Sequence, residues 1–263
     1  LYLKLIVNNN IVIKFSYILS LSFYLLFIFL YNSSMKILVT SGGTSEAIDR
    51  VRSITNHSTG RLGKVITETL LKAGHQVCLI TTQQALKPEL HPNLTMIEIK
   101  NTSDLLQEMK RILPNYQVLI HSMAVSDYSP VYMTGLDQVQ ASQDLSEFLH
   151  KKNMETKISS KDEVQVLFLK KNPKIISLVK EWNPSIHLIG FKLLVDVTKE
   201  HLIQIARESL VKNQADLIVA NDLTQINADQ HLAYLVEEKD YQIAASKQEI
   251  ADLLVRKIQG FDR

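Results

Sequence analysis

Two short stretches hold most of the residues whose types and spacing suit chemistry: Ser41-Gly42-Gly43-Thr44 and Asn56-His57-Ser58-Thr59-Gly60-Arg61-Leu62-Gly63. The first is a glycine turn behind an apolar run. The second is a polar loop that opens a helix. Backbone N–H groups at such a helix start, approached closely because glycine has no side chain, favour an anion such as phosphate. The same glycines also serve a tight turn or close packing, and a motif this short admits both readings. A nicotinamide dinucleotide fits poorly as the source of that phosphate. Gly42-Gly43 lacks the G-x-G-x-x-G spacing, and the second strand ends Ile80-Thr81-Thr82-Gln83 with no acid to hold a ribose diol. Walker A spacing is absent too.

Asp127, in Ala124-Val125-Ser126-Asp127-Tyr128, and Asn221-Asp222 each follow an apolar run. In an open α/β sheet that places them over the crevice at the strand ends; a strand-end Asx turn also accounts for either one. Lys157, Lys170, Lys171 and Lys174 are of a type that ordinarily sits solvated. The eight histidines show no metal-ligand spacing. His121 interrupts an apolar run and reads as a core residue with its polar atoms satisfied. Cys78 is the only cysteine, which excludes an internal disulfide framework or a Cys-rich zinc site and suits a reducing compartment.

Strands alternating with helices must position these residues. Apolar runs at Lys36–Thr40, Gln76–Thr81, Leu94–Ile99, Val118–Met123, Val164–Leu169, His187–Leu193 and Leu217–Ala220 read as strands. Helical spacing covers Gly60–Ala73, closed by Gly74, then Ser103–Ile112, Lys199–Lys212 and Lys247–Ile258. Asn172-Pro173 reads as N-cap and first residue of a helix to Trp182. Leu232–Val236 and Tyr241–Ala244 form a late β-hairpin. The polar stretch at about 130–160, with a helix near Leu145–Lys151, reads as a flap. The fold class is therefore α/β, a Rossmann-like doubly wound, mostly parallel sheet with a flap insertion and a late hairpin.

The chain has 263 residues with 46% apolar and 21% charged composition, which excludes disorder and fibrous repeats. Residues 1–34 stand apart. They hold Lys4 and Lys14 and no acid, so the 29 basic residues of the chain fall to 27 without them, matched by 27 acids. No basic field for nucleic acid remains. Phe15–Tyr31 is an uncharged apolar run of a length at the short edge of a bilayer span. Met35 opens directly into the first strand, so residues 1–34 read as upstream translated sequence, with a membrane anchor as the alternative. Residues 35–263 read as the α/β domain.

Taken together, Ser41-Gly42-Gly43-Thr44, Asp49-x-Val51-Arg52-x-Ile54-Thr55-Asn56-His57-Ser58-Thr59-Gly60-x-x-Gly63, Ala124-Val125-Ser126-Asp127-Tyr128, Lys157-Ile158, Lys171-Asn172-Pro173, Gly190-Phe191 and Ala220-Asn221-Asp222 resemble the phosphopantothenate–cysteine ligase family. The resemblance runs in order over about residues 36–259, and the chain is most similar to the short stand-alone bacterial form.

The resemblance implies a cytoplasmic enzyme of coenzyme A biosynthesis that joins 4′-phosphopantothenate to L-cysteine. CTP would activate the acid as an acyl-cytidylate, in place of the ATP of eukaryotic relatives, and Mg2+ would accompany the nucleotide. Gly43, Ser58, Gly60 and Gly63 would line the nucleotide phosphates, Phe191 would pack against the nucleotide and Asn221 would hydrogen-bond it. Asp127 would contact substrate or nucleotide, and Ala124 would line the phosphopantothenate pocket. Asn56 would orient the acyl group, and Lys157 would be the flap lysine that offsets charge on the α-phosphate. Arg52 would reach into the neighbouring subunit's pocket, which implies a homodimer. Two positions depart from the family pattern: Leu194 stands where many relatives have an acid, and Ser159-Ser160 where many have lysines. The alternatives are a nicotinamide-dependent short-chain reductase or epimerase, which lacks its Tyr-x-x-x-Lys pair here because Tyr128 is followed by Tyr132, and a membrane-anchored nucleotide sensor.

Overall fold

The computed structural model describes residues 34–153, 156–227 and 230–261. Met35–Phe261 form one compact unit. Among the described residues no helix is long and apolar enough to cross a membrane; Phe15–Tyr31 lies outside them.

The elements in chain order are β1 (Lys36–Thr40), β2 (Ser45–Ala47), β3 (Ser53–Thr55), α1 (Arg61–Lys72), β4 (Gln76–Thr82), β5 (Leu94–Ile99), α2 (Thr102–Ile112), β6 (Val118–His121), β7 (Tyr128–Gly135), α3 (Leu136–Ala141), β8 (Gln165–Lys171), α4 (Val179–Trp182), β9 (His187–Leu194), α5 (Lys199–Asn213), β10 (Leu217–Asp222), β11 (Ala233–Val236), β12 (Tyr241–Ala244) and α6 (Lys247–Gln259). One eight-stranded sheet has the order β12-β11-β10-β9-β6-β1-β4-β5. It is parallel except where β11 pairs antiparallel with β10 and β12, the expected late hairpin. The chain winds outward from β1 through β4 and β5 on one side, then returns to β6 and winds through β9 and β10 on the other. The direction reverses between β1 and β6, so their carboxyl ends frame the crevice where ligands of such sheets bind.

Alternation along β1 builds the two faces. Leu38 joins one core with Leu119, Leu105 and Leu188. Ile37 and Val39 join the other with Ile66, Leu70 and Leu254. Helices cover both, as near-continuous apolar strands require.

Four expectations need correction. The polar stretch between β1 and α1 contains an antiparallel hairpin, β2 with β3. Val164–Leu169 is not a strand of the main sheet: β8 pairs antiparallel with β7 to form an arm running from Tyr128 to Lys171, so the insertion is wider than 130–160. A short apolar run records that a strand is partly covered, not which partner covers it. Phe148 gives the arm its own small core, stacked between Tyr132 and Phe168 at 5.9 and 4.8 Å; it belongs to a 3-10 turn, Leu145–His150, where a helix was expected. Finally, Asn172 does not cap a helix. The next element is a 3-10 turn, Ile175–Leu178, with no side-chain cap, and Asn172 turns instead to the root of the arm, donating from Nδ2 to the Ser126 carbonyl at 2.9 Å.

Candidate active site

The β1 and β6 ends continue past the sheet as paired loops. Gly43 bridges Ala124 in parallel fashion. Thr44 N–H donates to the Ala124 carbonyl at 3.0 Å, and Ala124 N–H to the Gly42 carbonyl at 2.9 Å. Asn56, just past β3, docks on this seam: its Nδ2 donates to the Ala124 carbonyl at 3.2 Å, and its backbone N–H to the Thr44 carbonyl at 3.4 Å. Gly43 is required there, because a Cβ would run into the Asn56 carbonyl oxygen. The structure thus brings Gly43, Asn56 and Ala124 to one point, over the place where the winding reverses.

Gly60 adopts the left-handed backbone (φ 73°) that glycine favours and leads into α1. Gly60 has no side chain to cap α1 and no acid lies in its first turn; the Thr59 hydroxyl takes the Arg61 N–H at 3.3 Å, and the following N–H groups and the dipole face an anion or solvent. Ser58 is half-buried in the preceding loop. Gly63 lies where α1 crosses the end of β1; a Cβ would overlap the Ser41 side chain. The packing reading therefore accounts for Gly63 without a ligand.

Phe191 and Asp127 line a second part of the edge, a cavity of about 100 Å³ with His121, Val125 and Ile176. Asp127 pairs with Lys174 at 2.9 Å, both well exposed. His121 is buried, with Nδ1 on the Thr40 hydroxyl at 2.8 Å; burial, reinforced by the Lys174 charge, pushes its pKa down to about 4. Asn221 is also buried, and its Nδ2 donates to the Leu232 carbonyl at 3.0 Å, tying β10 to the start of β11. Its neighbour Asp222 accepts from Val197 N–H, from the backbone and hydroxyl of Thr224, and from Asp196 N–H. These bonds, Val197 first, hold its carboxyl down to about 2.

Arg52 and Lys157 come together elsewhere, where the β2–β3 turn meets the arm. Arg52 binds Asp49 through Nε at 3.0 Å and Nη2 at 2.6 Å, and Nη2 also donates to the Ile158 carbonyl at 3.1 Å. Ile158 N–H returns to Asp49 at 3.1 Å. The Arg52 guanidinium keeps the Asp49 carboxyl well below the usual range. Lys157 is exposed beside this junction. A polar cavity of about 690 Å³ adjoins it, lined by Arg50, Arg52, Lys100, Gln83 and Gln84 among others.

Sequence reasoning missed Glu46, Ser129, Arg50 and Lys100. Glu46 is a buried acid that accepts from Thr102 N–H, the Thr102 hydroxyl and the Ser129 hydroxyl. Its one signal was position, an acid directly behind the glycine turn. Among the described residues no group of three His, Cys, Asp or Glu side chains could hold a metal ion.

Comparison with known proteins agrees with this architecture. The family model described as the DNA/pantothenate metabolism flavoprotein C-terminal domain matches residues 33–136 and 132–261. The DNA/pantothenate metabolism flavoprotein from Streptococcus pneumoniae, known as a crystal structure, is 74% identical, with a TM-score of 0.83, over 86% of this chain and 99% of that one. The crystal structure of the C-terminal domain of the coenzyme A biosynthesis bifunctional protein CoaBC is 26% identical, with a TM-score of 0.64, over 87% of this chain and 96% of that one. The full CoaBC of Methanocaldococcus jannaschii is 28% identical over 85% of this chain. The chain spans about half the length of the curated relatives it matches. With both model segments together reaching from residue 33 to residue 261, the chain belongs to the DNA/pantothenate metabolism flavoprotein C-terminal domain family.

Proposed function

We propose that the chain is a phosphopantothenate–cysteine ligase, using CTP. The observation that carries this reading is the seam of Gly43, Asn56 and Ala124 over the reversal point, with the helix start at Gly60 beside it. The ordered motifs and the family membership support it over the nicotinamide-dependent reductase, which finds no support.

A carboxylate is a poor acyl donor because oxide would have to leave. In this reading the phosphopantothenate carboxylate attacks the α-phosphorus of CTP; a P–O bond forms, the bond to the β-phosphate breaks and pyrophosphate departs. The cysteine amine then attacks the acyl carbon, CMP leaves and the amide nitrogen loses a proton. Asn56 has two N–H groups on its carboxamide. The Ala124 carbonyl holds one; the other is available to the substrate carboxylate and then to the acyl oxygen, so the donor is oriented before the acid arrives. The start of α1, with Gly43, Ser58 and Gly60, receives the phosphates. Phe191 packs against the nucleotide, Asn221 hydrogen-bonds it and Asp127 contacts substrate or nucleotide. Lys157 supplies a mobile positive charge for the α-phosphate. Magnesium would accompany the nucleotide phosphates and offset their charge.

The same reading makes the enzyme a cytoplasmic homodimer. Val51 and Ile54 on the β2–β3 hairpin and Leu145, Leu149, Val164 and Leu169 on the arm are exposed apolar residues that a second copy could cover.

An assay with CTP, phosphopantothenate and cysteine tests the function: CMP and pyrophosphate should appear in equal amounts with the amide. A folded dimer that turns over with neither CTP nor ATP refutes it. Asn56→Ala should still bind CTP yet lower turnover roughly 100-fold, the usual scale for one oriented donor; wild-type turnover in that variant removes Asn56 from the mechanism.

A further inference from the structure

A network of six polar residues lies under the seam, and none of their side chains takes part in the reaction as written. Glu46 is its hub, with 5% of its surface exposed. Oε1 accepts from Thr102 N–H at 2.9 Å and from the Thr102 hydroxyl at 2.7 Å. The Ser129 hydroxyl lies 2.8 Å from Glu46 Oε2 and 2.8 Å from Asn172 Oδ1. Asn172 Nδ2 donates to the Ser126 carbonyl at 2.9 Å. The Thr44 hydroxyl donates to Ser126 Oγ at 3.0 Å and accepts from Ser126 N–H at 2.9 Å; the Thr44 and Thr102 hydroxyls lie 3.4 Å apart, in contact, with their protons given to Ser126 and Glu46.

The six residues come from four places in the chain, 44–46, 102, 126–129 and 172. Ser129 and Asn172 are the two roots of the arm, joined also by Asn172 N–H to the Asp127 carbonyl at 2.8 Å. Thr44 follows Gly43 and accepts the Asn56 backbone N–H. Ser126 stands between Ala124 and Asp127. Buried networks of this kind hold firmly when complete and are costly when one member is lost. We propose that Glu46 is a positioning residue of the ligase site: it clamps the arm roots to the β1 and β6 loops and so fixes Asn56 against the Ala124–Asp127 segment where the acid substrate lies. This rests on the ligase reading.

The proton count gives the clamp a signature. Ser129 has one hydroxyl proton and two oxygen acceptors, Glu46 Oε2 and Asn172 Oδ1. A glutamine at position 46 would accept from Thr102 through its oxygen and donate to Ser129 through its amide, freeing the Ser129 proton for Asn172. An aspartate is one methylene too short to reach both sides. Glutamine should therefore rescue and aspartate should not.

The test compares Glu46→Ala, Glu46→Asp and Glu46→Gln with the wild-type chain. Amide hydrogen exchange of the unliganded proteins reports the clamp, calorimetric titration with CTP reports the nucleotide site, and steady-state kinetics report the acid. In Glu46→Ala the amides of 126–135 and 165–172 should exchange roughly tenfold faster while those of β4 and α1 do not change, CTP affinity should stay within about twofold, and KM for phosphopantothenate should rise roughly tenfold. Glu46→Gln should return all three to near wild type, and Glu46→Asp should resemble Glu46→Ala. Unchanged exchange at the arm roots in Glu46→Ala overturns the proposal whether or not the enzyme turns over. CTP affinity lost in step with the rise in KM overturns it as well, since that marks general loosening. A wild type that binds CTP but makes no amide refutes the ligase reading and with it the positioning role, even where the exchange data still report a clamp.

Discussion

Asn56, His121 and Asp222 each owe their state to a few neighbouring atoms. Asn56 is legible as a functional residue only through its surrounding motif; its orienting partner, the Ala124 carbonyl, is 68 residues away and is backbone, which no side-chain pattern records. His121 was read as a satisfied core residue, and its Nδ1 bond to Thr40 agrees. The ring's cost appears only when it is protonated. Burial pushes His121 from 6.5 down to about 4, and burial with the Lys247 charge does the same to His231. Both rings bind fewer protons folded than unfolded below pH 6.5, so their contribution is whole above that value and is lost as pH falls toward 4. For His121 the loss is at most about 3 kcal/mol. Asp222, held to about 2, adds its loss only below the ordinary carboxylate value of 3.8. We expect the melting temperature to be level above pH 7, to fall between pH 6.5 and 4, and to fall further in stronger acid. His121→Gln, which cannot ionise, should flatten the first limb. A profile equally steep in that variant would show that His121 is not the group responsible.

At the scale of elements, one close approach sets how near helix α1 can lie to β1. A Cβ on Gly63 would overlap both the Cβ and Oγ of Ser41, so Gly63→Ala must push α1 away from β1, and the displaced helix carries Gly60 with it. Overpacking of this kind costs about 1–3 kcal/mol, and the weakened nucleotide affinity should accompany the lower melting temperature. Ser41→Gly removes both clashing atoms, so the double variant should recover much of the loss; in a double-mutant cycle the two changes should couple strongly. Additive effects would place the strain elsewhere. This contact also shows where the sequence was informative. Strands β1, β4, β6, β9 and β10 are buried on both faces, and α1 and α2 have one apolar side, so their residues announce them. β2 and β3 are three residues each and largely polar, with no period to read. β8 has a legible strand pattern, but its choice of β7 over the main sheet follows from the Phe148 core of the arm, which forms only once Tyr132, Phe148 and Phe168 meet. Asn172-Pro173 carried a capping signal that the arm root overrode.

At the scale of the whole molecule, the proposed dimer makes Arg52 a candidate to serve the site of the other copy. Arg52 spends Nε and Nη2 on Asp49 and Ile158 of its own chain, and its side chain remains partly exposed. Its guanidinium is therefore pre-oriented at the junction of the hairpin turn and the arm. Releasing it to reach inward would cost its bonds to Asp49 and Ile158 and leave Asp49 only the backbone donors of Val51, Arg52 and Ile158, so a guanidinium fixed there suits a neighbouring pocket better than its own. If Arg52 acts across the dimer, each active site combines Asn56 of one copy with Arg52 of the other. Arg52→Ala and Asn56→Ala would then be inactive alone. Mixed, half of the dimers are hybrids, and each hybrid has one site with both defects and one with neither, so activity should return to about one quarter of wild type. The exchange of subunits is checked by native mass spectrometry of the mixture. Hybrids that form and remain inactive would mean that Arg52 and Asn56 serve the same site from one chain, and the Asp49–Arg52–Ile158 junction would then be a fastening of the arm and nothing more.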